Sequence, residues 1–222
     1  MAYVAPTVWS VGDAVTAADY NIMANDVLQF APMVQGVFTT EAVRDAAITS
    51  PTEGMHAYIS ASTIAAATGA TTIVPTGIQT IYNGSVWVCV TPVSARSELS
   101  GNSSSTSYVT TLTGDSTAIS VTLVTGTTAK VIMGADTNPG GVQVNRVTYS
   151  ISGATTQTAA SNDAAGAMFQ SFDGTYVLET QMSKTRIISG LTAGTNTFTL
   201  NYKTNSAIGY YNNRLLIVSG VA

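Results

Sequence analysis

The run "TNTFTLNYK", Thr195 to Lys203, sets Phe198, Leu200 and Tyr202 at every second position with Thr and Asn between them. A spacing of two places the three large residues on one face of an extended chain, so the run reads as a half-buried strand. Thr strengthens that reading, because its branched Cβ suits a pleated surface. The same beat recurs upstream. "STAISVTLVT", Ser116 to Thr125, puts Ile119, Val121 and Leu123 on one face. "FDGTYVLETQM", Phe172 to Met182, starts on an Asp-Gly turn and continues with Tyr176, Leu178 and Met182. In "VQVNRVTYSIS", Val142 to Ser152, the apolar positions change from even (Val142, Val144) to odd (Val147, Tyr149, Ile151). A one-residue slip turns every side chain over, so the spacing predicts a bulge near Asn145-Arg146. About eight short strands separated by Gly, Asn and Pro turns, with no helices alternating between them, predict an antiparallel jelly-roll-like β-sandwich over residues 94–222. Within it, "GADTNPGG", Gly134 to Gly141, reads as a tight turn. Asp136 and Asn138 fall short of a calcium loop, which needs further carboxylates.

Two other segments precede the sandwich. Residues 39–93 form a small β-rich domain. "PTEG", Pro51 to Gly54, carries turn chemistry, Met55, Ala57 and Ile59 alternate, and "IQTIYNGSVWVCV" reads as a hairpin around Asn83-Gly84. "ASTIAAATGATTIVPTG", Ala61 to Gly77, is small and low in complexity and reads as a loop or embellishment. Residues 1–38 hold a short N-terminal helix. Thr16 and Asp19 have capping-box spacing, Tyr20, Met23, Val27 and Phe30 recur at three and four, and Pro32 ends the run. The fold class expected is therefore mainly β: a short helix, a small hairpin domain and a sandwich.

Composition excludes several kinds of function. Charged residues make up 9% of the chain, against about 25% in ordinary domains. The net charge is -4, and the eight basic residues are scattered, which gives no footprint for a phosphate backbone and argues against nucleic acid. No apolar run approaches the length of about 18 residues that a membrane span needs, so membrane insertion is not expected. The N-terminus lacks the basic and apolar regions of a secretory signal. Cys89, alone in "VWVCV", reads as a buried small hydrophobe. A surface of hydroxyls and amides suits packing against copies of the chain or against other proteins.

Three motifs occur in a fixed order. "W-x-x-G-D-x-V-T-A-A-D-x-N", from Trp9, resembles the head of many tailed-bacteriophage virion proteins, among them minor tail, fibre and head-fibre proteins. "RDAAITSPTEGMHAYI…IQTIYNGSVWV" resembles the small domain that often follows, with its Arg-Asp pair, Pro-x-x-Gly-Met turn and Tyr-Asn-Gly-x-x-Trp hairpin. "SGLTAGTNTFTLNYKTN…NNRLLIVSG" is similar to the last strands of phage terminal sandwich domains. The resemblance implies a virion structural or adhesion protein, a trimer where it forms fibres, and it carries over no catalytic residue.

The residues themselves offer little chemistry. His56 is the sole histidine, expected to point outward from its strand, and neither a zinc site nor a nucleophilic triad can be assembled around it. Acids such as Asp115, Asp136 and Asp173 adjoin turns, where they cap backbone N–H groups. No enzymatic activity, metal or cofactor is expected. "AIGYYNNRLL" gathers Tyr210, Tyr211, Asn212, Asn213 and Arg214, which read either as a core Tyr plus a turn or as a platform that stacks on a sugar ring. The expected protein is a homotrimeric tail-fibre or minor tail protein of the virion, made in the host cytoplasm. Its partners are itself, other virion proteins and a host-surface glycan. Trp9, Tyr20, Met23, Val27 and Phe30 would dock on sister chains or on the particle, or else pack back on their own chain. The alternative is a capsid decoration or head-fibre protein that stabilises the head shell.

Overall fold

A computed structural model describes residues 34–139, 143–169, 180–205 and 207–222. The expected N-terminal helix, with Trp9, Tyr20, Met23, Val27 and Phe30, lies outside the described residues, as do Asp173, Tyr176 and Leu178. The described residues begin with β1 (Val34–Phe38), α1 (Glu41–Ala47), β2 (His56–Ile59), β3 (Ala66–Thr68), β4 (Thr71–Ile73), β5 (Ile78–Tyr82) and β6 (Trp87–Cys89). They continue with β7 (Val93–Ser97), β8 (Gly101–Ser103), β9 (Ser120–Thr125), β10 (Thr128–Pro139) and β11 (Gln143–Gly153). A 3-10 turn (Ser161–Asp163) leads to β12 (Ala165–Phe169), β13 (Thr180–Ser189), β14 (Gly194–Thr204) and β15 (Gly209–Val221).

The strands build a mainly β fold with an antiparallel sandwich at its centre. The front sheet has the order β12-β11-β14-β9-β3 and the back sheet β13-β10-β15-β7-β4, with β8 also pairing β15. The pairing is nested. β7 pairs β15, β9 pairs β14, β10 pairs β13 and β11 pairs β12, so first meets last and the middle strands meet each other. The β10–β15 and β11–β14 pairs then close each sheet. That nesting is the jelly-roll winding: a long hairpin folded over so that successive strands cross between sheets. Ala61 to Gly77, read as a loop or embellishment, supplies one edge strand to each sheet: β3 pairs β9 and β4 pairs β7.

The alternation in the sequence is what fills the interior. Ile119, Val121, Leu123, Val147, Tyr149, Phe198, Leu200 and Tyr202 from the front sheet are fully buried, against Val131, Met133, Tyr211, Leu216 and Val218 from the back. Tyr149 meets Phe198 with ring centroids 6.3 Å apart, and Tyr202 meets Tyr211 at 5.2 Å, both tilted. One open side is closed by charge rather than by apolar packing. On β13, Lys184 Nζ donates to the carbonyls of Asn162 (3.0 Å) and Ala164 (3.1 Å), and Arg186 pairs with Asp163 at 2.8 Å. Inward-aimed charge on an edge strand also discourages pairing with another chain.

Two sequence expectations need correction. No bulge occurs at Asn145-Arg146, because the register with β14 runs unbroken from Asn145 against Thr204 to Gly153 against Asn196. Asn145 occupies the inward position that an apolar residue would normally take. Its Nδ2 donates to Thr137 Oγ1 (2.6 Å), which in turn donates to the Tyr210 carbonyl (2.8 Å). Gly209 makes room for it: a Cβ there would lie 2.4 Å from Asn145 Oδ1. The second correction concerns Gly134 to Pro139, which continue β10 rather than turning. Asp136 is a strand residue opposite Asn212 and Gln181.

The motif residues of the small domain meet at one place. β1, from the first 38 residues, pairs in parallel with β2, and the small sheet has the order β1-β2-β5-β6. "EAVRDAA" forms α1, capped by Thr40, whose Oγ1 accepts from Val43 N–H at 3.3 Å. Arg44 from α1 lies with its guanidinium carbon 4.6 Å from the Trp87 ring centroid. Met55, Ala57 and Trp87 form a minor core with Phe38, Ile48 and Tyr82. Gly54 and Gly84 both take positive φ, and Asn83 Oδ1 accepts from the N–H groups of Ser85 and Val86, which shapes the hairpin turn. The other end of the sheet, Ile59, Ile78 and Cys89, joins the sandwich core, and burial pushes the Cys89 thiol up to about 11. His56 is exposed, with Nδ1 3.3 Å from Gln79 Nε2.

Candidate functional site

The Tyr210–Arg214 group is split by the strand that carries it. Gly134 lies opposite Leu215 and Asp136 opposite Asn212, so Asn213 and Arg214 together face Ala135 in a β-bulge. Asn213 takes the left-handed conformation (φ 43°) that the bulge requires. The extra residue lets Tyr211 and Arg214, three apart, both point inward, where each is 0% exposed. Neither can stack on a sugar, which corrects the platform reading for these two residues. Tyr211 OH donates to the Lys203 carbonyl at 2.7 Å. Tyr210 remains on the outside at 38% exposure, and Asn213 Nδ2 donates to Asp136 Oδ2 at 2.5 Å.

Arg214 is held by a partner the sequence did not suggest. Its Nη2 pairs with Asp115 Oδ2 inside the protein, where the side chains are 0% and 2% exposed. Ser97 Oγ donates to Asp115 Oδ2 at 2.6 Å and Thr117 N–H to Oδ1 at 3.0 Å. Burial pushes the Asp115 carboxyl up, but Ser97, Thr117 and the Arg214 charge outweigh it and hold it below the usual carboxylate range. Tyr202 stacks its ring 5.5 Å from the guanidinium carbon, and burial pushes its hydroxyl up to about 12. The turn-capping role expected of Asp115 is present at Thr117, but the acid chiefly neutralises a buried cation. Enclosed on all sides, this cluster is structural.

Among the described residues, an accessible groove lies on the outer face of the front sheet. Here β11 and β14 set Ser150 and Asn201 as the floor of an open groove of about 550 Å³, with Ser107, Tyr108, Ser161 and Lys203 around it. Asn201 Nδ2 donates to Ser150 Oγ (2.9 Å) and to the Thr199 carbonyl (2.7 Å), which fixes the floor. One wall is tied to β14 by reciprocal backbone bonds between Val109 and Tyr202, and by Thr204 N–H donating to the Ser105 carbonyl at 3.0 Å. The other is tied to β11 by a reciprocal pair between Ile151 and Gln157, both 2.9 Å, and by Thr148 Oγ1 donating to the Ala160 carbonyl. Tyr108 spans the walls, its hydroxyl 3.1 Å from Ser161 Oγ, with Lys203 Nζ 5.4 Å from its ring centroid. The groove is thus a preformed, hydroxyl-lined surface, and it holds one cation and no acid. Among the described residues no group of three or more His, Cys, Asp or Glu converges as a metal site would need.

Sequence reading missed this groove. Tyr108 follows directly on the Ser-rich run Ser100 to Ser107, which shows no strand alternation, and the meeting of Lys203 with the 105–109 segment depends on register alone.

No family model matches the chain, and no curated protein matches it. Among solved structures, a tumour necrosis factor, Eiger from S. frugiperda, aligns at 8% identity over 58% of this chain and 92% of its own, with a TM-score of 0.41. A structure of infectious bursal disease virus, Gx strain, aligns at 12% identity over 64% of this chain and 41% of its own, with a TM-score of 0.33. A family 35 carbohydrate-binding module from an environmental isolate aligns at 14% identity over 57% and 93%, with a TM-score of 0.26. At such identities and scores these likenesses lend no weight to a function.

Proposed function

We propose that the chain is a non-catalytic structural protein of a tailed-bacteriophage virion, a homotrimeric tail-fibre or minor tail protein. Its N-terminal segment attaches to the particle, and its jelly roll faces outward toward the host surface. The observation that carries this reading is the convergence of the motif residues behind the resemblance. Arg44, Met55, Tyr82 and Trp87 build one minor core ahead of the sandwich, which supports treating them as parts of one module rather than as chance matches. The low charge and the hydroxyl-rich outer sheet agree with a protein that works by packing and display.

Such a protein acts by geometry. Three copies on one appendage turn weak surface contacts into avidity, and assembly stabilises each fold by mass action. Gold-labelled antibody against the chain, imaged on intact particles, tests the location. Label at the tail is the expected result, label over the head would favour shell decoration, and absence from the particle would end the virion reading. Sedimentation equilibrium of the full chain is expected to give a trimer, and a stable monomer would remove that part.

A further inference from the structure

Arg146 and Lys203 stand directly opposite each other on β11 and β14, both on the outer face of the front sheet. Like charges in that arrangement repel. Neither has a carboxylate within ion-pairing distance among the described residues, where the ion pairs use Arg44, Arg96, Arg186 and Arg214. In a chain with eight basic residues and a net charge of -4, such a pair is not the by-product of a basic surface. Lys203 lines one end of the hydroxyl-lined groove, and Arg146, its cross-strand neighbour, stands beside it just beyond that lining.

We propose that this groove binds an acidic saccharide. The carboxylate sits against Lys203 and Arg146, and the neutral hydroxyls run along Ser150, Thr158, Ser161 and Ser107. Three features of the groove select that class. Its volume falls in the range of small-ligand sites, about 300–1,000 Å³, yet polar side chains line it where a drug-like ligand would need apolar walls. It is open, so a sugar chain can continue past it. Its charge is concentrated at one end, which suits one acidic unit among neutral ones, whereas a nucleic acid carries a phosphate on every unit and needs cations along the whole path. The walls are held by backbone bonds before any ligand arrives, so little ordering cost remains on binding. The inference gives a chemical class to the ligand that the appendage reading leaves open, and it stands on the groove whether or not the chain belongs to a virion.

Calorimetric titration of the full chain with 3′-sialyllactose, tri-galacturonate, lactose and inorganic phosphate tests it. At least one of the two acidic sugars is expected to bind about tenfold or more tightly than lactose and than phosphate, the loss of one charge-assisted contact being worth about that factor. Lys203→Met and Arg146→Met should each weaken that binding by about tenfold, with unchanged melting. Lys130→Met, on the outer face of the back sheet, should leave it as it is. Binding of neither acidic sugar, equal binding of lactose, phosphate binding as tightly as the sugars, or full affinity in Lys203→Met would each overturn the proposal. Failure here would count against the ligand class alone, because the virion reading is decided by the particle labelling.

Discussion

The small domain and the sandwich each bury an arginine, and they do so in opposite ways. Arg44 is covered by the Trp87 ring on α1's inner side, yet its carboxylate partner Asp45, reached by Nε at 2.9 Å and Nη2 at 2.8 Å, is 58% exposed. Arg214 and Asp115 are both enclosed, and Ser97, Thr117, Tyr202 and the Leu99 carbonyl surround them. The first arrangement keeps one charge in water and replaces solvent on the other with an aromatic face. The second takes two charges out of water, and only the complete set of partners offsets that cost. A cation on a ring tolerates loss of its carboxylate, and a sealed pair does not.

The largest expected effect follows from removing one member of the sealed pair. Asp115→Ala should lower stability by about 3–5 kcal/mol in urea unfolding, because Arg214 is left charged and unpaired. The double change Asp115→Leu with Arg214→Met should recover most of that loss, and no recovery would mean that the pair itself stabilises. Next comes the seam where the two regions touch. A Cβ at Gly220 would meet Val88 Cγ1 at 2.4 Å and the Cys89 carbonyl oxygen at 2.8 Å, so Gly220→Ala should cost about 1–3 kcal/mol. Arg44→Met should cost about 1–2 kcal/mol, the scale of a partly desolvated cation on an aromatic ring, whereas Asp45→Ala should change stability by less than about 1 kcal/mol. An Asp45 effect as large as that of Asp115 would erase the contrast.

The smallest effect is the pH dependence. The folded Asp115 carboxyl is held below its unfolded value of about 3.9. Its contribution is therefore fully present above that value and is lost as pH falls from there through the lower folded one, since the unfolded chain takes up the proton first. Acid titration of the wild type should show this loss in that window. Asp115→Asn, already destabilised, should have a flatter acid limb.

The sequence alone determined the sandwich. Period-two runs such as Ile119, Val121, Leu123 and Phe198, Leu200, Tyr202 state which side chains are inward, and all six are buried. Local turn chemistry at Gly54 and Asn83-Gly84 was equally legible, because a positive φ and an Asx turn are properties of a few adjacent residues. Only the tertiary structure decided the polar interior and the groove. Asn145 broke the apolar pattern without breaking the strand, since its amide found Thr137 on the other sheet. Arg214 moved from a candidate surface residue to the core through a bulge at Asn213, and its partner Asp115 lies 99 residues away in the chain. Lys203 meets Arg146 through strand register, and meets Tyr108 through a Ser-rich segment without strand alternation. Apolar alternation is a local signal, because each residue must satisfy it independently. Polar and ionic partners are specific to a pair, and pairs of distant residues exist only once the strands are wound together.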